Sequence, residues 1–162
     1  MATTVKTEDA RYEVEHSAQA ATSAHDLMAR IVKVLHERML KYNWVGFYMI
    51  QRAPDQPPVL VLGQFEGAMT PHTRIPMNEG ICGAAASSGK TVVVDDVAQD
   101  SRYLACSLET KSEIVVPVFA RGQVVGELDI DSHFPAAFKD EDRALVEFCA
   151  SLVGQYLDKH PA

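Results

Sequence analysis

Three cysteines, Cys82, Cys106 and Cys149, are the residues of this sequence best suited to nucleophilic or redox chemistry. Their number is odd and low for a chain of 162 residues, so they do not form the framework of a disulfide-stapled protein. An isolated cysteine in a reducing compartment is usually a small core residue and sometimes a reactive thiol. Cys149 belongs to the apolar stripe of a predicted C-terminal helix, which indicates a core position.

Cys82 lies in a segment, residues 78–86, that predicts the start of a helix. Asn78 is a suitable N-cap, and the alanines that follow Gly83 favour helix. Cys82 would then lie in the first turn, where unpaired backbone N–H groups and the helix dipole lower the pKa of a thiol. The alternative is a small buried cysteine that packs this helix on a sheet.

Cys106 follows a predicted strand and precedes another, so it lies in a loop or a short helix. Reactive groups are often mounted on such connections. Arg102 would be about one helical turn away, and its charge could favour a thiolate. A buried thiol without chemistry is again the alternative.

An acidic set is formed by Glu113, Asp129 and Asp131. Residues 113–120 and 124–130 predict a hairpin, and antiparallel pairing brings the start of the first strand to the end of the second. The three carboxylates would share one end of the sheet. Glu127 belongs to the same alternating acidic face.

Like charges placed opposite one another destabilise a sheet, so this acidic set requires a cation, a proton or the amine of a ligand. The alternative is three solvated acids at strand ends. His133 is the one additional metal ligand nearby in the sequence, and no spacing in the chain demands a metal. We therefore expect no metal ion.

Trp44 and Tyr48 lie four residues apart in a predicted strand, so they point to the same face of the sheet. They could form an aromatic wall for a ligand or belong to the core.

The remaining elements determine where these residues meet. Helical periodicity covers the first 40 or so residues, with a weaker signal for a separate helix at 12–21. Aromatic and apolar runs predict strands at 43–50 and 59–63 around a proline-rich turn at 53–58, and a short strand at 91–94. A helix begins near Asp140 with acids in its first turn. This order predicts an α+β sandwich with an antiparallel sheet and helices packed on one side.

The composition and charge of the chain exclude several classes of function. Apolar residues make up 47% of the chain and charged residues 23%, as in a globular protein with a sizeable core. The net charge of −7 argues against nucleic acid as a partner. Neither a membrane span nor the apolar core of a secretory signal is found, so we expect a cytoplasmic protein without membrane contact. The sequence has no phosphate-binding glycine loop, no paired zinc cysteines and no Ser–His–Asp signature.

A series of short motifs runs in order through the chain: NWVGFY at 43–48, LGQFEG at 62–67, RIP at 74–76, GICG at 80–83, DV at 96–97, AC at 105–106, SEIVVP at 112–117 and LDIDS at 128–132. Together they resemble the GAF-type free methionine-(R)-sulfoxide reductases, from about Trp44 to Asp142. The resemblance implies a single GAF domain over residues 1–162, with a helical segment at 1–40, the sheet and pocket at 43–132 and a C-terminal helix at 140–159.

The resemblance also implies a reaction. Members of the family reduce the R epimer of free methionine sulfoxide. The motifs match Cys106 to the nucleophile, which becomes a sulfenic acid, and Cys82 to a second cysteine that resolves it. Thioredoxin then restores the thiols, and no cofactor is needed. Trp44 and Tyr48 match the wall around the substrate.

The same resemblance matches Glu113, Asp129 and Asp131 to carboxylates that hold the substrate ammonium group and assist protonation of the sulfoxide oxygen. It agrees with the charge argument above, since a ligand amine would offset the clustered negative charge. The lengths of the first and last helices further predict a homodimer that packs through the helical layer.

The chain departs from the family pattern at two positions. His72 stands where the family usually has a third, resolving cysteine, and Ser107 follows the nucleophile in place of an aspartate. Two hypotheses follow. Cys82 resolves Cys106 in a two-cysteine enzyme, which requires their Cα atoms to come within about 7 Å. Alternatively, turnover is lost or uses an external thiol, and the domain is a small-molecule-binding or sensory module.

Overall fold

The structure is a computed structural model that describes residues 2–104 and 108–161. Its helices are α1 (Ala2–Gln19), α2 (Ala24–Arg38), α3 (Gly80–Ser88) and α4 (Asp140–Lys159), with a short 3-10 helix at Val97–Gln99. Its strands are β1 (Trp44–Ala53), β2 (Gln56–Glu66), β3 (Arg74–Pro76), β4 (Val92–Val94), β5 (Ser112–Ala120) and β6 (Gln123–Ser132).

The strands form one antiparallel sheet in the order β3-β2-β1-β6-β5-β4. The long strands β1 and β6 are central, and the two edge strands β3 and β4 have three residues each. This confirms the predicted α+β class with a GAF-like antiparallel sheet.

The N- and C-terminal helices pack on one face of the sheet, as predicted. The apolar stripe of α2 buries Ile31 and Leu35 against strand residues such as Phe47 and Leu128. Ser23 accepts a hydrogen bond from the Asp26 backbone N–H at 2.9 Å, which fixes the start of α2. The helix predicted at 12–21 is longer in the structure, where α1 begins at Ala2. Its apolar stripe is weak, and it is held by a few residues that pack into the helical core, such as Ala10 and Val14.

The opposite face of the sheet is covered by α3 and β3. A separate apolar cluster forms there, and it includes Trp44, Tyr48, Val115 and Cys82. Since side chains alternate along a strand, β1 contributes Val45, Phe47 and Met49 to the helical core. It contributes Trp44, Tyr48 and Ile50 to this second cluster.

The turn predicted at 53–58 is wrong in its extent. Residues 56–58 belong to β2, including both prolines, and the turn is confined to Pro54 and Asp55, whose φ is 64°. Gln51 pairs with Val59 and Ala53 with Gln56, so an extra residue is accommodated in a bulge. β3 pairs with β2 only from Val59 onward, so the prolines interrupt no ladder on that side.

The second hairpin is tighter than predicted. β5 ends at Ala120, which pairs with Gln123, so the turn consists of Arg121 and Gly122 with φ values of 52° and 73°. Among the described helices, none has the length and apolar character required to cross a membrane.

Candidate functional site

The register of the sheet places alternate residues of β6 in one row beneath α3. On the β1 side, Asp131 pairs with Trp44, Asp129 with Gly46, and Glu127 with Tyr48. On the β5 side, Asp131 pairs with Glu113 and Asp129 with Val115. The predicted sites of the aromatic wall and of the carboxylates therefore lie side by side on the same face.

The carboxylates of the site are buried, so the alternative of solvated acids at strand ends is wrong. The exposed fractions are 5% for Glu113, 3% for Asp129 and 4% for Asp131. Burial, followed by the charges of Asp129 and Asp131, raises the pKa of Glu113 well above its ordinary value. Burial and the charge of Asp129 do the same to the pKa of Asp131.

Asp129 differs from its neighbours in accepting a hydrogen bond from the Cys82 thiol. Burial raises the pKa of Asp129, whereas its hydrogen bonds with Glu113 and Cys82 act in the opposite direction. A cluster of this kind binds protons at neutral pH unless a positive group enters it.

Cys82 lies in the first turn of α3, as predicted, but its pKa is raised and not lowered. Its Sγ donates a hydrogen bond to Asp129 Oδ2 at 3.4 Å. Burial is the largest cause of the raised pKa, followed by the charges of Asp129, Glu127 and Glu113. A helix N-terminus contributes only about 0.3–1 kcal/mol, which a buried site among carboxylates outweighs.

The residue before α3 also differs from the prediction. The N-cap is Glu79 and not Asn78, and its side chain makes no capping hydrogen bond.

Glu127 is the residue that sequence reasoning left out of the site. It is fully buried, and neither of its carboxyl oxygens has a hydrogen-bond partner within residues 2–104 and 108–161. Burial and the charge of Asp129 raise its pKa well above the ordinary value. The strict alternation of Glu127 with Asp129 and Asp131 was the signal that could have identified it.

The aromatic pair lies on one face, as predicted, with ring centroids 6.2 Å apart. Trp44 also stacks on Phe65 at 5.7 Å, and its Nε1 donates to the Ala68 carbonyl at 3.0 Å. The Tyr48 hydroxyl donates to the His72 carbonyl at 2.7 Å. These bonds hold Ala68 and His72 close to the two rings. The pair belongs to the second apolar cluster, and its role as a wall for a ligand stays a prediction.

Two cavities border the carboxylates. One of about 20 Å³ is lined by residues including Tyr48, Cys82, Glu113 and Asp129, and it has room for about one water molecule. The other, of about 330 Å³, is lined by residues including Trp44 and Asp131 and is large enough for an amino acid. A larger cavity of about 580 Å³ lies between α4 and β5, and its described lining contains none of the predicted site residues that the structure covers.

His72, which stands at the position of the missing cysteine, is half-buried and lines the smaller cavity together with Cys82. Cys106 and Ser107 lie outside the described residues, so their predicted roles stay predictions. Arg102, predicted to favour a thiolate at Cys106, forms an ion pair with Asp100 at 2.6 Å.

Cys149 is a core residue, as predicted. It has no exposed surface and lies in the helical core, where burial raises its pKa to about 12.

Comparison with known proteins identifies the family. The family model described as "GAF domain" matches residues 23–157. The chain is 36% identical over 121 residues to the free methionine-R-sulfoxide reductase of Escherichia coli, across 75% of this chain and 70% of that protein. The chain belongs to the GAF domain family, in the subgroup of free methionine-R-sulfoxide reductases.

Solved structures agree with this assignment of the GAF domain. The free methionine-R-sulfoxide reductase of Neisseria meningitidis, in complex with its substrate, superposes with a TM-score of 0.87 at 33% identity, over 96% of this chain and 92% of that one. The type II free methionine-R-sulfoxide reductase of Thermoplasma acidophilum superposes with a TM-score of 0.77 at 38% identity, over 84% of this chain and 93% of that one.

Proposed function

We propose that this GAF domain reduces free methionine-(R)-sulfoxide to methionine by thiol chemistry. The observation that carries the proposal is the buried carboxylate group formed by Glu113, Asp129 and Asp131, beside a thiol and an aromatic wall. A group of buried acids is a suitable site for the ammonium group of a free amino acid, since that charge relieves the repulsion between the carboxylates.

The same carboxylates suit the chemistry of the sulfoxide. Burial raises the pKa of Glu113 and of Asp131, which suits these carboxyls to donate a proton to the sulfoxide oxygen. Asp129, which accepts a hydrogen bond from the Cys82 thiol, would carry the negative charge opposite the ammonium group. Trp44 and Tyr48 would enclose the methyl and thioether end of the substrate.

The reaction proceeds in three steps. In the first, the Cys106 thiolate attacks the sulfoxide sulfur and the sulfoxide oxygen is protonated. The oxygen is transferred to the Cys106 sulfur, methionine leaves, and Cys106 becomes a sulfenic acid. The Cys82 thiol then attacks that sulfur, and water leaves as the disulfide forms. Thioredoxin reduces the disulfide and is itself oxidised. Because Cys82 is held as a thiol, Asp129 at 3.4 Å is the group positioned to accept its proton in the second step.

A second candidate function is ligand binding without turnover. It is favoured by His72, which replaces a family cysteine, and by the raised pKa of Cys82, which opposes its use as a nucleophile. The domain would then bind an amino-acid-like ligand in the same pocket as a sensory module.

An NADPH-coupled assay with thioredoxin, thioredoxin reductase and free methionine-(R)-sulfoxide separates the two functions. We expect turnover that is lost in Cys106→Ser, and a single methionine per chain followed by arrest in Cys82→Ser. Cys149→Ser is the matched control, since that thiol lies in the helical core. Absence of turnover with thioredoxin and with excess dithiothreitol, together with a raised melting temperature on adding the sulfoxide, would establish the binding function instead.

We also propose that the protein acts in the cytoplasm and forms a homodimer through the helical layer. α1, α2 and α4 lie together on one side of the sheet, which gives a surface remote from the pocket for a two-fold contact. Light scattering after size exclusion would give twice the 17.8 kDa mass of the chain for a dimer, and the single mass would contradict it.

A further inference from the structure

The site contains more buried oxygen atoms than its own contacts satisfy. Both oxygens of Glu127 and the Oδ1 atoms of Asp129 and Asp131 are buried, and the part of the chain that the structure describes offers them no hydrogen-bond partner. Unsatisfied buried carboxyl oxygens cost free energy and require a compensating group. An ammonium group would compensate some of them, and a metal ion would compensate them as well.

Three ligand atoms in the cluster already stand at metal-binding separations. Cys82 Sγ, one oxygen of Glu113 and one oxygen of Asp129 all lie within 4.8 Å of one another, and all three residues are buried. The distance from Cys82 Sγ to Asp129 Oδ2 is 3.4 Å. A tetrahedral zinc ion, with a Zn–S bond of about 2.3 Å and a Zn–O bond of about 2.0 Å, holds sulfur and oxygen roughly 3.5 Å apart.

Asp129 is a second sign that the cluster can take a ligand. It is 3% exposed, and its Oδ1 atom has no hydrogen-bond partner among residues 2–104 and 108–161. Asp129 lines the small cavity together with Cys82 and Glu113, so all three residues border the same space.

The ligand types select the metal. Magnesium and calcium prefer sites made only of oxygen ligands, whereas a thiolate together with carboxylates suits zinc. We propose that Cys82, Glu113 and Asp129 bind one zinc ion, and that zinc inhibits the domain reversibly by excluding the ammonium group of the substrate and by holding Cys82. The inhibition rests on the proposed function, whereas zinc binding does not.

Zinc at this position would block two steps. It would occupy the carboxylates proposed to hold the ammonium group, so zinc and sulfoxide would compete. It would also hold Cys82 as a bound thiolate, so the disulfide with Cys106 could not form until zinc left.

The binding test uses reduced, chelator-treated protein titrated with zinc chloride by calorimetry, and with cobalt chloride by absorption. We expect one zinc ion per chain and a near-ultraviolet thiolate-to-cobalt charge-transfer band. Cys82→Ala should remove the band and weaken zinc binding by roughly 100-fold or more, since changes to groups outside the ligands themselves already cost about 10–100-fold. Cys149→Ala is the matched control, and should change neither.

Two further variants distinguish loss of zinc binding from loss of the fold, and the proposed site from a zinc site elsewhere in the protein. Asp129→Asn keeps the shape of the side chain and should weaken zinc binding while the circular dichroism spectrum stays that of the parent. His133→Ala, in the larger cavity, should leave binding unchanged. Binding that survives Cys82→Ala, or that is lost in His133→Ala, would overturn the proposed site.

Kinetics complete the test. In the coupled assay, zinc should raise the apparent KM for the sulfoxide, because it competes with the ammonium group, and should also lower kcat, because it holds Cys82 after methionine has left. A chelator should restore both values. Turnover without any zinc binding would overturn this inference alone. Zinc binding in a protein that never turns over would leave the site standing and overturn the reductase function.

Discussion

Replacing Glu127 by Gln should stabilise the protein at neutral pH and leave its stability almost unchanged near pH 4. Glu127 is fully buried, and the nearby Cys82 thiol lowers its pKa by less than burial raises it. Burial therefore raises its pKa, so the folded protein keeps a proton on this carboxyl that the unfolded chain releases. Gln has the same shape and no charge, which removes this linkage between folding and proton binding.

The magnitude follows from the pH at which the unfolded chain releases the proton. A glutamate in the unfolded chain has a pKa of about 4.3. Between there and pH 7 the cost in stability grows over about 2.7 pH units at about 1.4 kcal/mol each, to at most about 3.8 kcal/mol. The sign is fixed by the raised pKa: the wild-type protein is fully stabilised below the pKa of the unfolded state and loses stability as the pH rises towards the pKa of the folded state. Glu127→Gln should lack that loss.

Urea denaturation from pH 4.5 to pH 7.5, with a chelator present to exclude metal ions, measures this difference. The control is Glu37→Gln on α2, because Glu37 is exposed and lies far from the site in the sheet. We expect the free energy of unfolding of Glu127→Gln to exceed that of the parent by a margin that widens with pH. A variant that is less stable at pH 7, or a difference that does not change with pH, would refute the reasoning.

Three further predictions concern the wall and the core. Gly46→Ala should destabilise the fold by about 1–3 kcal/mol in urea denaturation, because an added Cβ would lie 2.4 Å from the Trp44 ring; unchanged stability would contradict this close approach. Trp44→Leu should raise the KM for methionine-(R)-sulfoxide by about tenfold, the equivalent of about 1.4 kcal/mol of lost contact, and an unchanged KM would place the ring outside the substrate site. Tyr42→Phe should lower the free energy of unfolding by about 1–3 kcal/mol in thermal denaturation. It removes the hydroxyl that donates to the buried Asp142 carboxylate at 2.6 Å. A smaller loss of stability would mean that water replaces the hydroxyl.

The sequence allowed the carboxylates to be placed, since their position depends on local features. A period of two along β6 and a short turn at Gly122 are enough to bring Glu113 opposite Asp131. Their burial could not be predicted, because it is caused by α3 and β3, which cover this face from a distance in the chain.

The prediction of a lowered pKa for the Cys82 thiol was wrong for the same reason. The position of the thiol in the first turn of α3 was correct, and the local effect of a helix terminus was correct in direction. Its pKa is nevertheless determined by burial and by carboxylates of β5 and β6, which are more than 30 residues away in sequence and reach the thiol only through the fold. The tandem prolines misled for a related reason, since a bulge at an unpaired stretch of β2 accepts residues that a regular ladder would reject.

The division of the apolar interior by the sheet has a consequence for the order in which the protein opens. The helical core holds the long central strands, whereas the site lies beneath one short helix and beside two edge strands of three residues each. A cavity of about 20 Å³ cannot admit an amino acid, so access beside Cys82 requires part of its lining to move. We expect α3 and β3 to move away with His72 and Leu104, while β1 and β6 stay packed. Amide hydrogen exchange should then show two levels of protection, with α3 and β3 exchanging by local opening and β1 and β6 only by global unfolding. A ligand that fills the site would close this gap by slowing exchange in α3 and β3 alone.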